Sequence, residues 1–250
     1  MNNDLIKKRF SELAERAFEK QIYTYTDFLS MDEISVFLSM RNKLSHVPYT
    51  LSGGMKNAER QILCFGSKEL CGYEHQMPIS ILKAEPLNKK FSQKLSHRDF
   101  LGALTGLGID RSALGDIIVN DNTAYIFCLE NMSEFLTQNF SQVKHTNICC
   151  SITDELPKDV LVSLKDITVQ VSSLRTDALI AHVFHLSRGT SSRLFQNELV
   201  YINSVLCQNP SRKPEEGDII SVRRMGRFIF NSVTGTTKKG KLNVSVSLYE

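Results

Sequence analysis

The chain has 250 residues, 42% hydrophobic and 23% charged, a composition that supports a packed interior and excludes a globally disordered protein. Its polar start, MNNDLIKKRF, has no continuous apolar core, and no later run is long and apolar enough to cross a bilayer, so a soluble intracellular protein without membrane insertion is expected. Charge is unevenly placed: residues 1–170 hold 19 Lys and Arg against 21 Asp and Glu, a balance of −2, while residues 171–250 hold 11 against 6, a balance of +5, so a polyanion should approach the C-terminal end.

Leu5, Ile6, Phe10, Leu13, Ala14, Ala17 and Phe18 recur at helical spacing and predict a first packing helix. A second is predicted over Met31–Met40, carrying Ile34, Phe37 and Leu38, with Asp27 or Asp32 available to satisfy its first free amides. Pro48 and the Gly53-Gly54 pair then predict a turn ahead of an apolar strand over Ile62–Phe65. Residues 1–75 therefore read as an N-terminal helical module with at least one strand.

Beyond a polar boundary near Cys71–Gln76 the pattern changes. Strands are predicted around 78–84, 117–119, 124–129 and 145–151, with helices around 97–104 and 132–140. Asn120-Asp121-Asn122 has the composition of a tight hairpin turn. This βαββαβ order makes residues 76–170 a middle ferredoxin-like, RRM-like domain. Tyr125 and Phe127 share one strand face, where core packing accounts for them without an RNA ligand, although such a sheet can also offer aromatics to bases.

Gly102, Gly106, Gly108 and Gly115 match neither a dinucleotide-binding nor a Walker-type loop, and His97-Arg98-Asp99 lacks the other kinase features. Cys64, Cys71, Cys128, Cys149, Cys150 and Cys207 contain no C-x-x-C pair and read as reduced structural thiols. His182 and His185 lie three apart without an acidic or cysteine ligand to complete a metal site. Asp99, Asp110 and Asp116 are carboxylates without a catalytic frame; Asp110 and Asp116 suit turn capping. No catalytic residue, metal or cofactor is expected.

Residues 171–250 carry the densest signal. Thr176 or Asp177 suits the start of a helix with Leu179, Ile180, Val183 and Phe184; Ser187-Arg188-Gly189 then resets the chain for a helix carrying Leu194, Phe195 and Leu199. Val200-Tyr201-Ile202 and Ile219–Arg223 read as strands. The candidate RNA-binding residues are Arg175, Arg188, Arg193, Arg223, Arg224 and Arg227, because a guanidinium can donate two hydrogen bonds to phosphate oxygens. Lys238, Lys239 and Lys241 extend the positive field from a Gly- and Thr-rich setting that reads as mobile.

Arg175-Thr176-Asp177, Ser187-Arg188, Val200-x-Ile202-Asn203 and Gly217-Asp218-x-Ile220-x-Val222 resemble the RNA-binding domain of ribosomal small-subunit protein four, the S-four domain. Glu198 and Ser204 depart from it, standing where that family often has glycine. With GGMKNAERQILCFG, SHRDFLGALTGLGIDRSALGDIIV and SVRRMGRF, the chain resembles the YlmH family. That resemblance implies an α+β architecture: an N-terminal helical module, the RRM-like domain, and a C-terminal S-four-type domain. It also implies a non-catalytic protein acting on the ribosome, with ribosomal RNA and peptidyl-tRNA on the large subunit as partners during rescue-associated quality control. An RNA-modifying enzyme is one alternative, since S-four domains accompany such enzymes. A division-associated adaptor using the N-terminal helices is another.

Overall fold

The computed structural model describes residues 3–88, 92–154, 156–157 and 164–249. The architecture is α+β, and the chain divides into two compact units, Met1–Leu161 and Val162–Glu250. Among the described residues no helix is long and apolar enough to cross a membrane.

The first unit opens with α1 (Asn3–Lys20), β1 (Thr24–Leu29), α2 (Met31–Met40), β2 (Tyr49–Ser52), β3 (Gln61–Phe65) and the short α3 (Lys68–Cys71). The predicted stripe of α1 buries Ile6, Phe10, Ala14 and Ala17 against Ile34, Phe37 and Met40 of α2 and Leu63 and Phe65 of β3. The three strands form an antiparallel sheet in the order β1-β3-β2, two more strands than the sequence pattern revealed. Helix α2 is capped by neither aspartate considered above. Ser30 directly precedes its first residue, and the Glu33 carboxylate accepts the Ser30 N–H at 2.8 Å while Ser30 Oγ accepts the Glu33 N–H at 3.4 Å. Asp32 already lies inside the first turn, and Asp27 pairs instead with Arg9 at 3.3 Å.

The unit continues as β4 (Ile79–Pro86), α4 (His97–Gly106), β5 (Leu114–Asn120), β6 (Thr123–Leu129), α5 (Glu130–Asn139), the two-residue β7 (Gln142–Val143) and β8 (Thr146–Thr153). The βαββαβ order is present with β7 added, and the antiparallel sheet runs β5-β6-β4-β8-β7. Asp121 and Asn122 both take positive φ, +44° and +61°, as a two-residue hairpin between β5 and β6 requires. Ala124, Ile126 and Cys128 of β6 face α4 and α5, packing with Phe100, Leu104 and Leu136. The alternate face of β6 carries Tyr125 and Phe127, only 6% and 0% exposed.

Phe127 is covered by the N-terminal sheet, where it packs with Phe28 of β1 and Ile62 of β3. Close approach there depends on glycine: a Cβ at Gly115 would stand 2.7 Å from the Phe28 ring and 2.9 Å from Phe127 Cβ. A polar clasp accompanies this contact. Arg60 donates from Nε to the Leu114 carbonyl at 2.8 Å and from Nη2 to those of Phe28 and Arg111 at 2.7 and 3.1 Å. The Asp116 carboxylate in turn accepts the backbone N–H groups of Glu59 and Arg60 at 2.8 and 3.0 Å. Burying carbonyls and a guanidinium is costly unless they are mutually satisfied, and here they are. The aromatic face of the middle sheet is thus an internal packing surface.

The second unit contains β9 (Leu164–Val171), α6 (Thr176–Val183), α7 (Arg188–Gln196), β10 (Val200–Ile202), β11 (Val205–Leu206), β12 (Ile219–Val222), β13 (Gly226–Thr236) and β14 (Leu242–Tyr249). Its antiparallel sheet has the order β11-β10-β12-β13-β14-β9. One face packs Val200, Ile202, Ile220, Val222, Phe228, Phe230, Val244 and Val246 against Leu179, Ile180 and Val183 of α6 and Phe195 of α7. At about 25 cal/mol per Å² of apolar surface buried, this contact is the main attraction holding the two helices to the sheet.

Candidate nucleic-acid interface

At the start of α6 the helix position expected of Thr176 or Asp177 as a cap is taken by Arg175, whose side chain makes no capping bond. Thr176 is the first helical residue, and its N–H and hydroxyl both donate to the Arg212 carbonyl, at 2.9 and 2.8 Å. The Asp177 N–H donates to the Pro210 carbonyl at 3.1 Å, so the loop carrying Arg212 and Lys213 is seated on the helix terminus. Arg175 reaches instead to Asp177, donating from Nε and Nη2 to the two carboxylate oxygens at 2.9 and 2.7 Å. That fork-to-fork pair fixes the guanidinium plane and raises the Arg175 pKa further.

Helix α7 begins as its sequence predicts. Ser187 is the cap, its Oγ accepting the Thr190 N–H at 3.1 Å, and Arg188 is the first helical residue. Ser191, fully buried, donates to the Asp177 carbonyl at 2.7 Å and draws the first turns of both helices together. Arg188 is exposed on this edge. A cation at a helix N-terminus opposes the macrodipole, so the local potential is positive from both the side chain and the terminal amides. Arg193 is exposed in the last turn of α7, where a cation is compatible with the dipole.

The other candidates lie elsewhere in the unit. Arg223, Arg224 and Met225 form the turn between β12 and β13, with Arg224 exposed at φ +68°. The Arg223 guanidinium carbon lies 5.8 Å from the Tyr201 ring centre, and that of Arg227, on β13, lies 4.1 Å from the Tyr249 ring centre. Lys238 and Lys239 sit at the tip joining β13 to β14, and Lys241 at its base. Mutual hydrogen bonds close this tip, Thr237 N–H to the Lys241 carbonyl at 2.7 Å and Lys241 N–H to Thr237 Oγ1 at 3.0 Å. The nine candidates therefore separate into Arg175 and Arg188 at a helix edge, Arg193 in the last turn of α7, a sheet face with its adjoining turn, and a hairpin tip. Arg212 and Lys213 join the helix edge unannounced, because a loop without periodicity gives no sequence signal of where it docks.

Among the described residues no group of three or more His, Cys, Asp and Glu could hold a metal ion. Asp116 is occupied by two backbone amides, and Asp110 caps the short 3-10 turn over Arg111–Ala113 through the Ser112 N–H. Asp99 accepts the Ser96 N–H at 2.9 Å and pairs with Lys144 at 2.7 Å, contacts that hold its pKa down at about 2. All six cysteines are free thiols. Burial pushes Cys64 up to about 11 and Cys128 and Cys150 to about 12, which keeps these three protonated and unreactive near neutral pH.

A family model described as a putative RNA-binding domain in YlmH matches residues 76–155. A Bacillus subtilis (strain 168) protein described as ribosome-associated protein quality control protein P2 is 30% identical over 223 residues, covering 88% of this chain and 85% of that protein. A solved structure described as cell division protein ylmH from Streptococcus pneumoniae aligns at 15% identity with a TM-score of 0.48, covering 61% of this chain and 92% of that one.

Proposed function

The chain belongs to the YlmH family, and from that membership we propose that it is a non-catalytic, cytoplasmic RNA-binding protein of ribosome-associated quality control. Its target in this reading is the large ribosomal subunit carrying peptidyl-tRNA. On the same reading the chain divides into a helical module at 1–75, an RRM-like domain at 76–170 and an S-four-type domain at 171–250, with β9, which precedes residue 171, counted with the last by its pairing with β14. The β5-β6-β4-β8 strand order supports the RRM-like assignment, and the paired helices on an antiparallel sheet support the S-four assignment.

Structured RNA is held at the helix edge by Arg175 and Arg188, with Arg212 and Lys213 beside them and Arg193 further along α7. Arg223, Arg224, Arg227, Lys238, Lys239 and Lys241 widen the positive field. The observation that carries this reading is Arg188, an exposed cation at the amide end of α7, where charge and dipole add and an anion relieves both. The commitment of Asp99, Asp110 and Asp116 to caps and backbone amides supports a binding role over a catalytic one.

Arg188→Ala and Lys239→Ala should be compared for binding to a structured RNA across several salt concentrations. Loss of a charge-assisted contact at Arg188 is expected to cost about 1.5–3 kcal/mol and to lower the salt slope by roughly 0.7–1, with a smaller effect at Lys239. Unchanged affinity and salt slope in a folded Arg188→Ala protein would remove the helix edge from the interface.

A further inference from the structure

The helices of the second unit pack on one face of its sheet, and strand alternation aims a different set of side chains at the other. Pairing places Leu206, Tyr201, Ser221 and Arg227 opposite one another across β11, β10, β12 and β13. The Phe228–Leu248 pair sets Tyr249 of β14 next to Arg227 in the same row. Arg227 lies over Tyr249 at 4.1 Å, and Arg223, two residues beyond Ser221 on the same side of the sheet, lies over Tyr201 at 5.8 Å. Two cation-on-ring pairs thus stand on one edge of a sheet face that carries neither helix.

The same face continues in polar groups. Asn231 donates to Ser245 Oγ at 3.3 Å and to Ser247 Oγ at 2.8 Å, and Ser247 Oγ donates to Asp166 at 2.5 Å. Asp166 sits on the edge strand β9, two strands from Arg227, so carboxylate and cations occupy different parts of the face. Tyr201 is 2% exposed, which makes its ring a support for Arg223 and not itself an open platform. Both arginines remain partly exposed. A guanidinium backed by a ring has its plane restrained, and a restrained plane can stack on a nucleobase.

We infer that this outer face binds a single-stranded RNA segment, stacking bases on the Arg227–Tyr249 and Arg223–Tyr201 pairs, as a surface separate from the helix edge. The inference rests on the RNA-binding reading given above and adds a second chemistry to it. A duplex keeps its bases stacked inside and would leave these planes unused, whereas unpaired bases present the flat surfaces they fit. An acidic protein segment would meet the charges but gain nothing from the stacked geometry.

The test uses the full chain with three labelled probes: a short unstructured oligoribonucleotide, an abasic chain of equal length, and an RNA hairpin. Arg227→Lys keeps the charge and removes the plane, Tyr249→Leu removes the support, and Arg223→Lys probes the second pair if either of the others fails to fold. Each folded variant is expected to lose about five- to tenfold in affinity for the oligoribonucleotide, and Tyr249→Leu, which alters no charge, is expected to leave abasic and hairpin binding unchanged. Arg188→Ala should show the opposite selectivity. If the wild type binds the hairpin but these variants hold the oligoribonucleotide as well as it does, the outer face is overturned and the helix edge survives. Equal weakening for all three probes would mean charge without stacking and also overturns it, as would displacement of the oligoribonucleotide by an acidic peptide at matched charge. A wild type that binds none of the probes removes both readings.

Discussion

Single residues carry much of the cost of this fold at its turns. Asn203 and Ser204, the two residues between β10 and β11, take φ of +51° and +64°, and Glu198 takes +57°. Glu198 and Ser204 are the positions where the resembled RNA-binding domain often has glycine, and the left-handed backbone supplies the reason: it disfavours any residue with a Cβ. Asn203 is compensated. Its Nδ2 donates to Asp218 at 2.7 Å and its Oδ1 accepts the Ile219 N–H at 2.9 Å. Ser204 has the φ penalty without such a bracket, so Ser204→Gly should stabilise the second unit by about 1 kcal/mol, read from its denaturant midpoint at unchanged slope. The sequence flagged these positions only as departures. Backbone angle was the missing quantity, and it is not written in residue type.

Elements were legible where burial followed a simple period. The stripe of α1, the span of α2 and the βαββαβ order all came from apolar spacing. Helix α7 came from its Ser187 cap. The strands that escaped notice break the rule in identifiable ways. Strand β1 buries Thr24 and Thr26, so its inward side chains are polar and the alternation is masked. Strand β13 is interrupted by irregularities between Phe230 and Ser232 and between Val233 and Gly235, which destroy a strict period of two. The lysines beyond it therefore read as a loose tail, when they are the tip of a long hairpin.

Helix α4 offers a test at this scale. Asp99 closes its first turn through Ser96 and pairs with Lys144, and its pKa falls from 3.8 to about 2. A carboxylate depressed in the folded state stabilises that state above its unfolded pKa and loses this contribution as pH falls through the folded value. Asp99→Asn should therefore flatten the decline in stability of the first unit between about pH 4 and pH 2, followed by thermal melts across that window. A parent and variant whose melting temperatures fall in parallel there would show that the cap is not what titrates.

For the whole molecule, the concentration of charge beyond residue 170 was visible in the sequence, but the division of the basic residues among an edge, a face and a tip was not. Spatial grouping depends on strand register, which the apolar pattern leaves open. The covering of Phe127 by the N-terminal sheet was foreseen only as core packing, without its partner. These placements suggest where the chain can be cut. A fragment of residues 162–250 retains β9 and should unfold cooperatively and bind structured RNA. One beginning at residue 172 loses Ile167, Val169 and Val171 from the sheet and should lack a sharp transition. Circular dichroism melts alongside RNA titrations would decide the matter, and a cooperative transition in the shorter piece would show β9 to be dispensable.

The pairing of β9 with β14 also sets a timetable. Strand β9 ends at Val171 and its partner begins at Leu242, with every intervening helix and strand of the unit between them. At a synthesis rate of roughly 5–20 residues per second, β9 waits on the order of 4–14 s before the strand that completes it has even been made. During that interval Ile167, Val169 and Val171 belong to an edge with nothing to bond to, the condition in which strands add to the wrong neighbour. In the first unit β4 also waits for β8, which begins at Thr146, but it can pair meanwhile with β6, which begins at Thr123, whereas β9 pairs with β14 alone. The chain thus emerges with a first unit whose early strand finds one partner on the way and a second whose opening strand has none until its last strand arrives.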